Sequence, residues 1–251
     1  MVSCMVARVG AHSEITGLAE ASSVPVINAL SDFYHPLQAV TDILTIKENF
    51  PVIAGLKVAW VGDSNNVLYD LLMACAKLSI NVSIATPKEF PVMDSMLKAA
   101  QTVARESGSS IEVCHDPLVA VKDANVIVTD TWISMGQESE KLLKMKQFAG
   151  FQVSSEMAEK GGAHKDWKFM HCLPRHPEEV TDEVFYSKRS LVFPEAENRL
   201  YAALAGMEGE RSGEVDVKGR MSRRWSLRAP ERYAAIDARL KIGRASCRER
   251  V

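Results

Sequence analysis

The stretch FMHCLPRHPEEV, residues 169–180, places His171 beside Cys172 at the end of an apolar run, with two prolines following. Three chemistries use such a pair. An imidazole can activate a thiolate nucleophile, the two side chains can supply half of a metal site, or they can clamp a substrate at the mouth of a sheet. A metal site needs three or four suitably spaced ligands, and the other histidines and cysteines form no such set in the sequence, so no metal is expected. Neighbouring residues on a strand point to opposite faces, which works against a facing Cys-His couple. A clamp and an inert core cysteine both remain.

Three further stretches carry polar groups that could do chemistry. In YHPLQ, residues 34–38, His35 precedes a proline and is held out of helical geometry, while Gln38 falls on the first turn of a helix. A neutral imidazole and an amide there could polarise a carbonyl and orient an amide. In GDSNN, residues 62–66, a strand, a glycine and a helix succeed one another, but the second glycine of G-x-G-x-x-G is missing. A pyrophosphate could not approach that backbone closely. Asp63 or Ser64 is the expected helix cap, which leaves Asn66 for binding. In DTWISMGQE, residues 130–138, the Asp130 carboxylate could receive an amine, and Ser134-Met135-Gly136 could form a tight loop around an anion or amine. An ordinary strand-to-helix loop explains the same residues.

The elements that must position these groups alternate. GLKVAWVG, INVSIATP, SIEVCHD, ANVIVTD and WKFMHCLP read as strands, the fourth ending at Asp130 and the fifth at His171-Cys172. Between them lie helical patterns in DSNNVLYDLLMACAKLS, in MDSMLKAAQTVARESG with its closing glycine, and in PLVAVKDA with proline at the first turn. The fold class is therefore α/β, a parallel sheet flanked by helices. Ligands bind such sheets outside the carboxyl ends of the strands, where Asp63 to Asn66, Thr86, Asp130-Thr131 and His171-Cys172 should converge. Upstream lie one strand, a loop at His35-Pro36 and a helix from about Leu37 to Glu48. The expected organisation is the end of a preceding domain in 1–36, a connecting helix in 37–50, the α/β domain in 51–204 and an aberrant tail in 205–251.

Composition excludes little beyond the extremes. The 251 residues are 47% hydrophobic and 25% charged, with a net charge of −2, as in ordinary globular proteins. No apolar run approaches the ~20 residues of a membrane span. Five cysteines without C-x-x-C spacing read as reduced thiols. Residues 1–200 carry 18 Lys/Arg and 25 Asp/Glu, whereas 201–251 carry 12 and 7. The basic, aperiodic tail lacks the aromatic interleaving of a nucleic-acid module, so neither nucleic acid nor membrane is an expected partner. A frame shift or intron read-through fits the abrupt change of charge, and KIGRASCRERV, residues 241–251, can be encoded by a common sequencing adapter with one added base, so an artefactual C-terminus is expected.

Together HPLQ, GDSNN, DTWISMGQE, HCLPR and FPEAENR resemble the ornithine carbamoyltransferase family, from about Val6 to about Leu204. HP-x-Q is shared with aspartate carbamoyltransferases, whereas DTWISMG and HCLP point to the ornithine branch. The resemblance implies two α/β domains, one for carbamoyl phosphate and one for L-ornithine, assembled as a homotrimer without cofactor or metal. It implies the mitochondrial matrix in a eukaryote and the cytoplasm otherwise. By resemblance, Arg8, His35 and Gln38 contact the carbamoyl group, and Arg199 reaches carbamoyl phosphate from the second domain. Asn66, Asp130, Ser134 and Met135 hold the α-amino and α-carboxylate groups of ornithine. Cys172 and Leu173 line the meeting point of the δ-amine and the carbamoyl group.

One departure bears on activity. The family's first-domain Ser-x-Arg-Thr-Arg motif, which grips the phosphate, does not occur in the sequence, whose start matches the middle of that domain. Charge-assisted contacts are worth about 1.5–3 kcal/mol each, so losing two or three should lower affinity or rate by about two to six orders of magnitude. The literal chain is expected to lack useful turnover. The alternative reading is a catalytically inactive fragment that binds ornithine or associates with full-length subunits.

Overall fold

The computed structural model describes residues 2–133 and 141–212. It begins with a small unit: β1 (Met5–Arg8), α1 (His12–Ala21) and β2 (Val26–Leu30), whose two strands pair in parallel. A long helix, α2 (Pro36–Asn49), leads out of it. The α/β domain then runs β3 (Lys57–Val61), α3 (Asn66–Lys77), β4 (Asn81–Ala85), α4 (Asp94–Ser107), β5 (Ile111–Cys114), α5 (Pro117–Ala120) and β6 (Val126–Thr129). It continues with α6 (Lys141–Gln147), α7 (Ser155–Lys160), β7 (Lys168–His171), α8 (Asp182–Phe185) and α9 (Val192–Ser212).

All five strands of this domain are parallel, in the order β5-β4-β3-β6-β7. Val58, Ala59, Trp60 and Val61 are fully buried, as are Val126 and Ile127. That is why the central strands read as continuous apolar runs rather than as alternation: helices cover both faces. On one face α2, α3 and α4 supply Ile43, Ile46, Leu68, Leu71, Leu72 and Ala100. On the other, Ala120, Phe148, Met157 and Phe185 pack under Ile127 and Phe169. The carboxyl ends fall one residue short of the sequence reading: β6 stops at Thr129 and β7 at His171, so Asp130 and Cys172 begin the loops.

Local signals account for several helix ends. Gly108 closes α4 in the left-handed conformation at φ 77°, and Asp116 caps α5 ahead of Pro117. The cap of α3 differs from expectation. Neither Asp63 nor Ser64 fills that role; Asn65 does, its side-chain oxygen accepting from the N–H groups of Val67 and Leu68 at 3.1 and 3.2 Å. Asp63 instead accepts from the buried Lys144 ammonium at 2.8 Å, and Lys144 also donates to the Trp132 carbonyl. A buried carboxylate facing a cation is held by that partner and is not free to cap.

One glycine marks a close approach. A Cβ on Gly161, at the end of α7, would lie 2.2 Å from Val121 Cγ2 and 2.9 Å from the Leu118 carbonyl. Gly161→Ala is expected to destabilise the domain by about 1–3 kcal/mol through overpacking. Urea denaturation checks it, and a midpoint unchanged from the parent chain would contradict it. Among the described residues, no helix is long and apolar enough to cross a membrane.

Candidate active site

The strand order reverses between β3 and β6, so the loops leaving these two neighbours run apart and open a crevice at their carboxyl ends. Asn65, Asp130 and Cys172 meet there. Asn65 Nδ2 donates to Asp130 Oδ2 at 2.7 Å, while its oxygen caps α3. The Cys172 thiol donates to Asp130 Oδ1 at 3.0 Å. Burial, and then the Asp130 carboxylate, push that thiol well above its ordinary range, so it stays protonated and is a donor rather than a thiolate nucleophile.

His171 faces the other way, as adjacent strand-end residues should. Its Nδ1 accepts from the Leu173 N–H at 2.9 Å, and its Nε2 lies 2.9 Å from Glu179 Oε2. This fixes a neutral ring with the proton on Nε2. Glu179 is fully buried and also accepts from the His176 N–H, the His176 ring and the Trp132 N–H. Burial raises its pKa, but the bonds from His171 and His176 outweigh it and hold the carboxyl below its usual range. The carboxylate thus fastens both crevice loops from beneath. Leu173 adopts the left-handed region at φ 63°, its cis peptide bond to Pro174 following. Ligand atoms of Asp130, His171 and Cys172 lie within 4.8 Å of one another, yet each already has a protein partner.

A second polar cluster adjoins the first, on facing sides of α2 and α9. Each helix presents two polar residues one turn apart: Gln38 and Asp42 on α2, Glu195 and Arg199 on α9. Gln38 Nε2 donates to Asp42 Oδ1 at 2.7 Å and to Glu195 Oε1 at 2.9 Å, and its oxygen accepts from Arg199. Glu195 Oε2 accepts from the His171 N–H at 3.0 Å, joining the two clusters. Burial raises Glu195 well above the carboxylate range, with Asp42 adding to it, and burial raises Asp42 to about 7. Both carboxyls therefore favour the protonated form more than an ordinary carboxyl does.

His35 ends this row. Its N–H donates to the buried Asp70 carboxylate at 2.6 Å, and Arg199 approaches its Nε2 at 3.3 Å. With Nε2 accepting, the proton sits on Nδ1, which is buried and has no partner among the described residues. Burial first, then the charges of Arg199 and Arg8, lower His35 from 6.5 to about 3, so the ring is neutral at pH 7. Arg8, exposed at the end of β1, is thus close enough to act on it electrostatically.

These shifts have opposite signs in stability. Between about 3 and 6.5 the unfolded chain binds a proton at His35 that the folded chain does not, so His35 lowers stability as pH falls through that window. Asp42, raised from 3.8 to about 7, does the reverse: the folded chain holds its proton, and the contribution is lost as pH rises through that window. His35→Gln should remove the first slope. The stability difference between parent and variant is expected to change by up to ~1.4 kcal/mol per pH unit between about 4.5 and 6.5. Urea denaturation across that range checks it; parallel curves would contradict it.

The structure thus brings His35, Gln38, Asp130, Cys172 and Arg199 into one region, with Leu173 at its edge. Asn66 begins α3, and its Nδ2 donates to the Ser31 carbonyl at 2.6 Å; its neighbour Asn65 is the one that touches Asp130. Ser134 and Met135 lie outside the described residues. Sequence reasoning missed Asn65, Asp42, Glu179 and Glu195. The spacing of Gln38 with Asp42 and of Glu195 with Arg199 was the available signal.

A helix-flanked parallel sheet with its polar residues at the strand reversal defines the class of protein, and comparison with known families narrows it. Residues 54–208 match the aspartate/ornithine carbamoyltransferase Asp/Orn binding domain, and residues 1–48 match the carbamoyl-P binding domain of the same family. The chain belongs to the aspartate/ornithine carbamoyltransferase family. It is 57% identical over 224 residues to the mitochondrial ornithine carbamoyltransferase of Coccidioides immitis, covering 83% of this chain and 64% of that protein. It is 58% identical over 211 residues to the mitochondrial ornithine transcarbamylase of Pachysolen tannophilus, covering 83% of this chain and 61% of that protein. The chain therefore spans a little over three-fifths of these relatives. A crystal structure of the Coccidioides immitis enzyme superposes with TM-score 0.79 at 53% identity, over 84% of this chain and 68% of that one. The enzyme from Pyrococcus furiosus superposes with TM-score 0.77 at 48% identity, over 81% and 66%.

Proposed function

We infer that this chain carries the ornithine side of a carbamoyltransferase that moves the carbamoyl group of carbamoyl phosphate to the δ-amine of L-ornithine, giving citrulline and phosphate. The observation that carries the reading is the adjacency of an amine-receiving carboxylate, Asp130, to the carbonyl-polarising groups His35, Gln38 and Arg199. Its relatives named as ornithine carbamoyltransferases support the substrate pair. In this reading the δ-nitrogen attacks the carbonyl carbon, the electron pair of the C=O bond moves to oxygen, and the tetrahedral intermediate expels phosphate. The proton lost by nitrogen leaves with the phosphate. Positioned donors at the developing oxyanion are the largest help that acyl transfer receives; Arg8 and Arg199 are the donors at hand.

A free δ-amine titrates near a lysine, roughly 10, and must lose its proton to react. Desolvation between Cys172 and Leu173 favours the neutral amine. Asp130, steadied by Asn65, would receive the α-amino group with Ser134 and Met135, and Asn66 would join them. Residues 1–36 would belong to the carbamoyl phosphate domain, 37–50 to the link and 51–204 to the ornithine domain. A homotrimer in the mitochondrial matrix completes the reading, in keeping with the relatives named as mitochondrial.

Incubation of the purified chain with radiolabelled carbamoyl phosphate and L-ornithine tests it, with labelled citrulline counted over hours because turnover is expected to be slow. Citrulline that depends on both substrates is the expected product. Ornithine binding without citrulline would favour the inactive-fragment alternative, and neither would overturn the reading.

A further inference from the structure

We propose that Asp42 and Glu195 are positioning residues that fix the orientation of the Gln38 amide, so that its oxygen faces the reacting groups and the site selects a ligand bearing N–H beside its carbonyl. The proposal rests on the carbamoyl reading above and names the feature by which a carbamoyl group is told from an acetyl group.

A glutamine amide has two faces of opposite character, and a half-turn exchanges them. Here three partners set the choice: two carboxyls that accept from the amide and a guanidinium that can only donate to it. Both carboxyls accept from Nε2, at 2.7 and 2.9 Å, and Arg199 donates to Oε1. The flipped amide would set its NH₂ against a guanidinium that has no acceptor, and its oxygen against carboxyls that could meet it only by donating a proton. Oε1 accepts one bond from Arg199, and its second lone pair is the acceptor left for a ligand N–H. A carbamoyl group supplies that N–H; an acetyl group of nearly the same shape supplies a methyl.

Glu195 has a second constraint that makes the proposal testable. Its Oε2 accepts from the His171 backbone N–H at 3.0 Å. In Glu195→Gln the new side-chain oxygen must stay on that donor, which turns the new NH₂ toward Gln38. The Gln38 oxygen is then drawn inward and its NH₂ outward. Asp42, near its own midpoint around neutrality, can take up a proton to suit either arrangement. Asp42→Asn loosens the same lock without touching His171.

The experiment is calorimetric titration of the chain and both variants with carbamoyl phosphate and with acetyl phosphate, with the Gln38 side-chain amide followed by NMR. The unchanged chain should prefer carbamoyl phosphate by about tenfold, the worth of one hydrogen bond, and Glu195→Gln should bring the two within about threefold. Asp42→Asn should move the ratio the same way, and it serves if Glu195→Gln fails to fold. A folded variant of either kind with the parent's preference would overturn the proposal, since a merely structural role weakens both ligands alike. In the unchanged chain both Gln38 amide protons should exchange slowly and lie downfield, and rapidly exchanging, averaged protons would overturn the lock without any variant. Binding of neither phosphate even at tens of millimolar, with the amide protons still protected, would overturn the selectivity while supporting the fixed orientation, and the citrulline assay decides the carbamoyl reading separately.

Discussion

Glu179→Ala is expected to destabilise the chain by about 2–6 kcal/mol, the loss seen when two buried donors are left without an acceptor. Four donors converge on this fully buried carboxylate: the His171 ring, the His176 ring, and the backbone N–H groups of His176 and Trp132. Alanine leaves the His171 ring and the Trp132 N–H buried without an acceptor, and each such group costs about 1–3 kcal/mol. The loss also reaches the site, because His171 holds the Leu173 N–H and Trp132 lies two residues from Asp130. Urea denaturation measures the effect, with Glu183→Ala, exposed on α8, as a control expected to stay within about 0.5 kcal/mol of the parent. Equal midpoints for the two variants would contradict the anchoring role.

Arg199→Gln is expected to lower citrulline formation by about two to three orders of magnitude relative to the parent chain, the effect of removing one donor from a developing oxyanion. It should also change the pH response. Arg199 is the larger of the two charges that lower His35, so its removal lets the imidazole protonate at higher pH. A protonated His35 loses Nε2 as an acceptor and adds a cation beside Gln38. The acid limb of the rate profile should therefore move upward as the rate falls. A uniform drop with an unmoved limb would assign Arg199 to phosphate binding alone, and a change below about threefold would remove it from the site.

How far the fold was legible follows from burial. The central strands stood out because a parallel sheet covered on both faces makes them nearly unbroken apolar runs, as in KVAWV, whereas the edge strand β5 buries only Ile111. β1 and α1 escaped notice for the opposite reason. MVAR alternates between half-buried and exposed positions, and α1 has no side-chain cap and buries only Ile15. The short α6, α7 and α8 offer too few turns for a period to emerge. α9 runs to Ser212, so the boundary expected at 204 falls inside a helix.

The site was legible where its residues sit in fixed motifs and obscure where contact is made across the sequence. Four residues in a row could have capped α3, and Asn65 does so because Lys144, 81 positions away, takes Asp63. Nothing local announces that partnership. Asp42 and Glu195 looked like ordinary helical carboxylates; their meaning appears only when α2 and α9 pack together and Gln38 reaches both. Glu179 likewise reads as one of two acidic residues after a proline until four donors surround it.

The most direct test of the proposed ornithine site is calorimetric titration of the chain and of Asp130→Asn with L-ornithine. The parent should bind saturably, and the variant at least about tenfold more weakly, as expected when a charged amine loses its carboxylate. Its Cys172 thiol would keep an amide oxygen as acceptor, so the crevice itself should survive. Parent and variant binding alike, or a parent that takes up no ornithine at millimolar concentration, would contradict an amine site at the carboxyl ends of β3 and β6.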